Sequence, residues 1–402
     1  MKKACRRIAR AAVAVAVLSA ALPCLRGQAA ISLWEVERKR VIGQADAFLS
    51  EPPLTVTAHQ AARSTGGIHD FFSEGDYWWP DPANPDGPYV QRDGMTNPDN
   101  FVLHRQAMIR FSRGVAALAA AYRITGETKY AAAAVRHLRA WFVDESTRMS
   151  PHLKFAQAIK GRVTGRGVGI IDTVHLVEVA RGVEALARSR SMARPDLEAI
   201  TGWFAQYLEW MMTHPYGLEE RDAKNNHGTC WVMQAAAFAH LTGNLKAMDF
   251  CRERFKTVLV PSQMAPDGSF PLEIRRTKPY NYSIFNLDAM AVICQILSTP
   301  ADDLWSFALP DGRGIGRAME FLYPYLAEKN RWPHPPDVMF FEFYPVRQPC
   351  LLFAAVALKE GKYLDLWRRL DPDPTNEEVI RNFPIRQPVL WFERGNPRLR
   401  RQ

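Results

Sequence analysis

The chain has 402 residues, of which 47% are hydrophobic and 23% charged, a balance that suits a globular protein with a large core and excludes disorder over most of its length. The formal net charge of +9 biases it toward anionic partners such as nucleic acid, a membrane surface or an acidic polysaccharide. The basic residues gather at the two ends rather than in a stripe or a known module, which argues against a reader of nucleic acid.

In chain order, Lys2, Lys3, Arg6, Arg7 and Arg10 precede an apolar run over 11–22, followed by small residues at 27–30. This reads as a signal peptide over 1–29, and the run is too short for a comfortable membrane span. The expected location is therefore periplasmic or extracellular, with no membrane span after cleavage and residues 30–402 as a single domain. Cys230, Cys251, Cys294 and Cys350 lie in apolar helical contexts without C-x-x-C spacing, which predicts buried thiols or one or two disulfides in preference to a metal site.

Apolar spacing predicts a helix over 32–49, stopped by Pro52-Pro53. A long irregular region follows to about residue 100, rich in proline and carrying Phe71, Phe72, Tyr77, Trp78, Trp79 and Tyr89. Loops this long within one domain are usually functional, and so many large aromatics fit disorder poorly. Helical runs are then expected over 101–124, 128–142, 172–189, 195–212, 227–242, 245–260, 283–298, 314–328, 346–359 and 362–369. Gly126, Gly243 and Gly361 stand where helix C-caps want a left-handed residue, and they lie 117 and 118 residues apart. With a further hairpin between each pair, the repeat is roughly 55–60 residues. Hairpins that each bury one face must stack, so the expected fold is all-α: an incomplete (α/α) toroid with long mouth loops at 144–171, 214–225 and 262–282, and loop 52–100 over the cleft. Residues 388–392 are expected to add a short strand or an extended arm.

Two stretches carry the candidate chemistry. Asn225-Asn226-His227-Gly228-Thr229-Cys230-Trp231 opens a helix, so its amides and imidazole either face a ligand or, for Asn225 or Asn226, simply cap the helix. The second stretch, about fifty residues on, runs Asp267-Gly268-Ser269-Phe270-Pro271-Leu272-Glu273-Ile274-Arg275-Arg276 and continues to Tyr280 and Tyr282. An arginine fork suits a carboxylate. Together these groups suit β-elimination from a uronic acid. The proton at C5 is acidic only when the adjacent carboxylate is neutralised, and a tyrosine whose pKa is lowered by Arg275 and Arg276 could take it and return one to the departing O4. Tyr77, Trp78 and Trp79 offer stacking faces for sugar, although core packing accounts for each as well. His104 and Arg105 open a long helix that could face the mouth. Lys154, Gln157, Arg166, Asp172 and His175 are polar enough to line a cleft, and Asp172 could equally cap the helix beginning there. No H-E-x-x-H or Cys/His cluster predicts a metal centre.

These motifs, together with Phe71-Phe72-Ser73-Glu74-Gly75-Asp76-Tyr77-Trp78-Trp79-Pro80-Asp81-Pro82 and Gly165-Arg166-Gly167-Val168-Gly169-Ile170-Ile171-Asp172-Thr173, resemble the alginate lyase superfamily of α/α-toroid polysaccharide lyases, in the branch that includes glucuronan and polymannuronate lyases. The resemblance covers about residues 60–360. It implies elimination without a metal or other cofactor on a β-1,4-linked polyuronate, with Asn226 and His227 on the carboxylate, Arg276 or Arg275 beside them, and Tyr282 as acid and base. Spacing leaves Arg275 against Arg276, and Tyr280 against Tyr282, open. Two other functions are weighed against this one. A toroid glycoside hydrolase would need two carboxylates across the cleft, with Asp172 and either Glu273 or Asp288 as the pair. A binder of acidic polysaccharide would need none.

Overall fold

The computed structural model describes residues 33–394, and the expected signal segment lies outside them. Helix α1 (Leu33–Phe48) packs on α2 (Leu103–Thr125), which turns back into α3 (Thr128–Phe142). The next helices are α4 (Leu176–Leu186), α5 (Arg194–Thr213), the short α6 (Pro215–Arg221), α7 (Asn226–Thr242) and α8 (Leu245–Arg254). A π-helical turn, Phe255–Leu259, carries α8 into α9 (Val260–Gln263). Then come α10 (Pro271–Ile274), α11 (Pro279–Leu297), α12 (Ile315–Ala327), α13 (Pro349–Ala357), α14 (Gly361–Arg369) and α15 (Glu377–Arg381).

An inner row runs α2, α4, α7, α11 and α13, each packed on the next, while α3, α5, α8, α12 and α14 lie outside them. This is the expected all-α toroid of hairpins. Inner helices are covered on several sides, so α7 and α11 are buried along nearly their whole length instead of on one stripe. One core cluster runs from Leu33 to Phe392. The turns at Gly126 (φ 76°) and Gly243 (φ 68°) are the expected left-handed C-caps, where glycine avoids the clash that a Cβ would bring.

Several expectations fail for local reasons. Gly361 does not end a helix: it begins α14, and the left-handed residue of that turn is Lys359 (φ 61°). The helix expected from residue 172 starts only at Leu176, after a 3₁₀ stretch Gly167–Thr173. Asp172 therefore caps nothing. Residues 388–392 form no strand or arm. The 3₁₀ turn Pro388–Leu390 packs on α1, α2 and α4, since Val389, Leu390, Trp391 and Phe392 are apolar and all are buried. Its docking and the Arg347–Glu37 ion pair (2.8 Å) tie these late segments to α1. All four cysteines expected to be thiols or disulfides are free and buried. Among the described residues no helix is long and apolar enough to cross a membrane.

The mouth loops are more ordered than their composition implies. Strand β1 (Phe72–Glu74) pairs in parallel with β4 (Phe155–Ala158), joining loop 52–100 to loop 144–171. Strands β2 (Trp78–Trp79) and β3 (Val90–Gln91) form an antiparallel ribbon beside them.

Candidate active site

The mouth loops and the N-termini of α7 and α11 enclose a cavity of about 440 Å³. Asn225, Asn226 and His227 enter it from the start of α7. Asn225 occupies the N-cap position, yet its side chain makes no capping bond. Its carbonyl instead accepts from Gly228 N and Gln263 Nε2, both at 3.0 Å. Asn226 is clamped by Glu273 of α10, which accepts from the backbone N–H (2.6 Å) and from Nδ2 (2.7 Å). That fixes the amide and leaves its Oδ1 and second amide hydrogen for the cavity. Burial pushes the Glu273 carboxyl up while the Asn226 hydrogen bonds pull it down. His227 is held through Nδ1 by Glu220 of α6 at 2.7 Å. The ring is thereby oriented with Nε2 as its remaining polar edge, and Glu220, buried at the back, is pushed up by desolvation against the pull of His227.

The second stretch brings Arg276 and Tyr282 to the same cavity. Arg276 is gripped by Asp93 of loop 52–100 through NH2 (2.7 Å) and Nε (3.2 Å). Its guanidinium lies 4.7 Å from the Tyr282 ring centroid. The Tyr282 hydroxyl shares a 2.6 Å hydrogen bond with that of Tyr77. Sequence reasoning expected arginine to lower the Tyr282 pKa. Arg276 does act in that direction, but burial and the Tyr77 partner outweigh it, and the phenol is held well above its ordinary value. Arg275 contributes nothing to this: it is exposed, and its Nε donates to the Pro271 carbonyl.

Of the remaining candidates, Tyr77, Trp78, Gln157 and Arg166 line the cavity. Tyr280 does not. Two residues before Tyr282 on a helix is about 200° around it, so Tyr280 faces inward, where its hydroxyl donates to the Tyr325 carbonyl. Trp79 alternates away from Trp78 along β2, with Nε1 on the Met95 carbonyl and Arg92 over its ring. His104 is buried between the Phe72 N–H and the His59 carbonyl. Arg105 lies behind the cavity wall on Asp76 (2.7 Å), and Lys154 is exposed outside the cavity. His175 is buried on the Arg381 carbonyl, with its pKa lowered to about 3 by desolvation.

The sequence reading missed Asp93, Glu220, Glu378, Arg381 and Asn382. The last three come from α15 and its end. Arg381 reaches Asp76 at 2.5 Å, and Glu378 holds the fully buried Lys278 at 3.1 Å. Burial opposes the charge on Asp76, but Arg105 and Arg381 keep it well below the ordinary carboxylate range. The only signal for α15 was Asn376, which caps it by accepting from Glu378 N and Val379 N.

The carboxylate pair that a hydrolase needs is absent from the places proposed for it. Asp172 is buried under Ser73 and Gln157, Glu273 is spent on Asn226, and Asp288 accepts from Cys350 N in the core, where burial raises its pKa to about 7. The acids that do line the cavity, Asp76, Asp93 and Glu378, each hold an arginine or lysine.

Residues 55–332 match the family model described as alginate lyase. Among solved structures, the crystal structure of an alginate lyase from Bacteroides ovatus matches with a TM-score of 0.78 and 32% identity, over 90% of this chain and 94% of that one. Alginate lyase A1-III from Sphingomonas species A1 matches with a TM-score of 0.54 over 88% of this chain and 95% of that one, and its 15% identity speaks to the fold alone. A histidine-to-alanine variant of alginate lyase A1-III complexed with tetrasaccharide gives a TM-score of 0.55 at 15% identity, over 91% and 95% of the two chains. A search of curated proteins finds no match. With the family model spanning more than half of its length, and a solved relative sharing nearly a third of its residues, this chain belongs to the alginate lyase family and is a polysaccharide lyase.

Proposed function

We propose that the enzyme cuts a β-1,4-linked polyuronate, of mannuronate or glucuronate, by β-elimination. The observation that carries this reading is the convergence on one cavity of Asn226 and His227 from α7 with Arg276 and Tyr282 from the loop and helix some fifty residues later. Asn226, His227 and Arg276 are placed to hydrogen-bond and neutralise the carboxylate on C5, which lowers the cost of carbanion character there. Tyr282 as phenolate accepts the C5 proton, the C4–O4 bond breaks as the C4–C5 double bond forms, and the new phenol returns that proton to O4. Glu220 and Glu273 act through their neighbours: they position His227 and Asn226 and do not reach the sugar.

This assignment has a pH consequence. Burial raises the Tyr282 pKa, and the fraction of enzyme carrying the phenolate grows as pH rises. Values of kcat/KM, which report the free enzyme, should therefore climb from neutrality and still be rising at about pH 10, the ordinary phenol value. A profile that falls above pH 7 would speak against Tyr282 as the base.

To test the function itself, the mature protein is incubated with polymannuronate, polyguluronate, glucuronan and hyaluronan while ultraviolet absorbance of unsaturated product is followed. A rise on polymannuronate or glucuronan is expected; a flat trace on every polymer would refute the reading. The charged start and apolar run at residues 2–22 also support export, which N-terminal sequencing of secreted material would check. The expected new terminus lies near Ala30, and a retained Met1 would contradict export with cleavage.

A further inference from the structure

Arg166, Arg276 and Arg381 are the arginines lining the cavity, and their charges are not equally satisfied. Arg276 is neutralised by Asp93, and Arg381 by Asp76 and Glu378. Arg166 has only neutral partners: its Nε donates to the Gln157 carbonyl (2.9 Å) and its NH2 to Gln157 Oε1 (3.3 Å). Among the described residues no carboxylate forms an ion pair with it. The acids that reach it through space are engaged elsewhere. Asp172 is held by Ser73 and Gln157, Asp76 by Arg105 and Arg381, Glu220 by His227, and Glu219 accepts from Gly167 N. The Trp78 ring, 6.0 Å from its guanidinium, adds only a weak cation–π contact. A half-buried cation without a counter-ion has a desolvation cost that an arriving anion would offset.

Arg166 and Arg276 enter the cavity from different elements and have different partners. Arg276 lies over the Tyr282 ring and is tied to Asp93 of loop 52–100, whereas Arg166 belongs to loop 144–171, tied to Gln157 and with the Trp78 ring 6.0 Å away. Resting on the polyuronate reading above, we propose that Arg166 anchors the carboxylate of a second uronate, on a sugar next to the one undergoing elimination. The enzyme then recognises consecutive uronates, with Arg276 serving the reacting carboxylate and Arg166 its neighbour. Gln157, whose backbone is in the left-handed region (φ 55°), holds the Arg166 guanidinium in place through both its carbonyl and its amide oxygen.

The test uses Arg166→Gln and Arg166→Lys, with kcat and KM measured at low and high salt on whichever polyuronate the wild type cuts fastest. Losing one charge-assisted contact should raise KM about 10-fold or more in Arg166→Gln while kcat changes little. The salt dependence of KM should flatten in the same variant, because one cation–anion contact is gone. Arg166→Lys, which keeps the charge, should recover part of the lost KM and the salt slope. A purely structural role, through Gln157, would instead lower kcat and leave the salt slope as it was. That result, or an unchanged KM, overturns the proposal while leaving the polyuronate reading intact. Failure of the wild type to form unsaturated product from any uronan overturns both.

Discussion

Tyr282→Phe is expected to lower kcat on a polyuronate by about 10⁴-fold, the upper end of what general acid–base groups contribute, because in the proposed mechanism one phenol serves both proton transfers. KM should change little, since the ring and its contact with Arg276 remain. The protein should stay folded. The hydroxyl makes one hydrogen bond, to Tyr77, whose loss costs about 1 kcal/mol, whereas the buried ring carries the packing. Steady-state kinetics beside a thermal melt separates these effects. A variant that keeps kcat within about tenfold of wild type would remove Tyr282 from the acid–base role.

His227→Ala should lower kcat by about 10²–10³-fold, the range for removing one preorganised donor at a site of developing charge. This variant also carries a second signature. His227 is the partner that opposes the burial-driven rise of the Glu220 pKa, so removing it drives Glu220 further toward the protonated form. A carboxyl whose folded pKa lies above its unfolded one contributes stability that is complete below the unfolded value and is lost as pH rises through the folded value. Relative to wild type, His227→Ala should therefore melt earlier at pH 8 than at pH 5. Melting curves at the two pH values check this, and an equal Tm deficit at both would contradict the Glu220–His227 coupling.

The toroid was legible in the sequence wherever one helix face is repeated. Apolar spacing placed α3 at its observed bounds, and the glycine turns at 126 and 243 marked hairpins because left-handed backbone there favours glycine. The Asn226–His227 and Arg276–Tyr282 stretches were also legible, since both combine unusual polar groups with helix starts. Helical phase then accounts for what spacing left open: Tyr282 faces the cavity while Tyr280, about 200° away, is turned into the core.

What stayed hidden depends on contacts distant in sequence. Arg381 meets Asp76 across 305 positions, and Lys278 meets Glu378 across 100. Read alone, the short charged segment of α15 is a solvated tail, and only closure of the ring makes it a wall of the cavity. The same holds for β1 and β4, whose pairing of Phe72 with Phe155 joins two loops that look irregular one at a time. Asp93 was one aspartate among several in a turn-rich loop until Arg276 gave it a partner.

The most direct test of elimination at this cavity counts two products of the same cut. Wild-type enzyme acting on polymannuronate or glucuronan should generate one unsaturated non-reducing end, read by ultraviolet absorbance, for every new reducing end. Reducing ends that appear without matching absorbance would mean hydrolysis, and would contradict the assignment of Asn226, His227, Arg276 and Tyr282 to elimination.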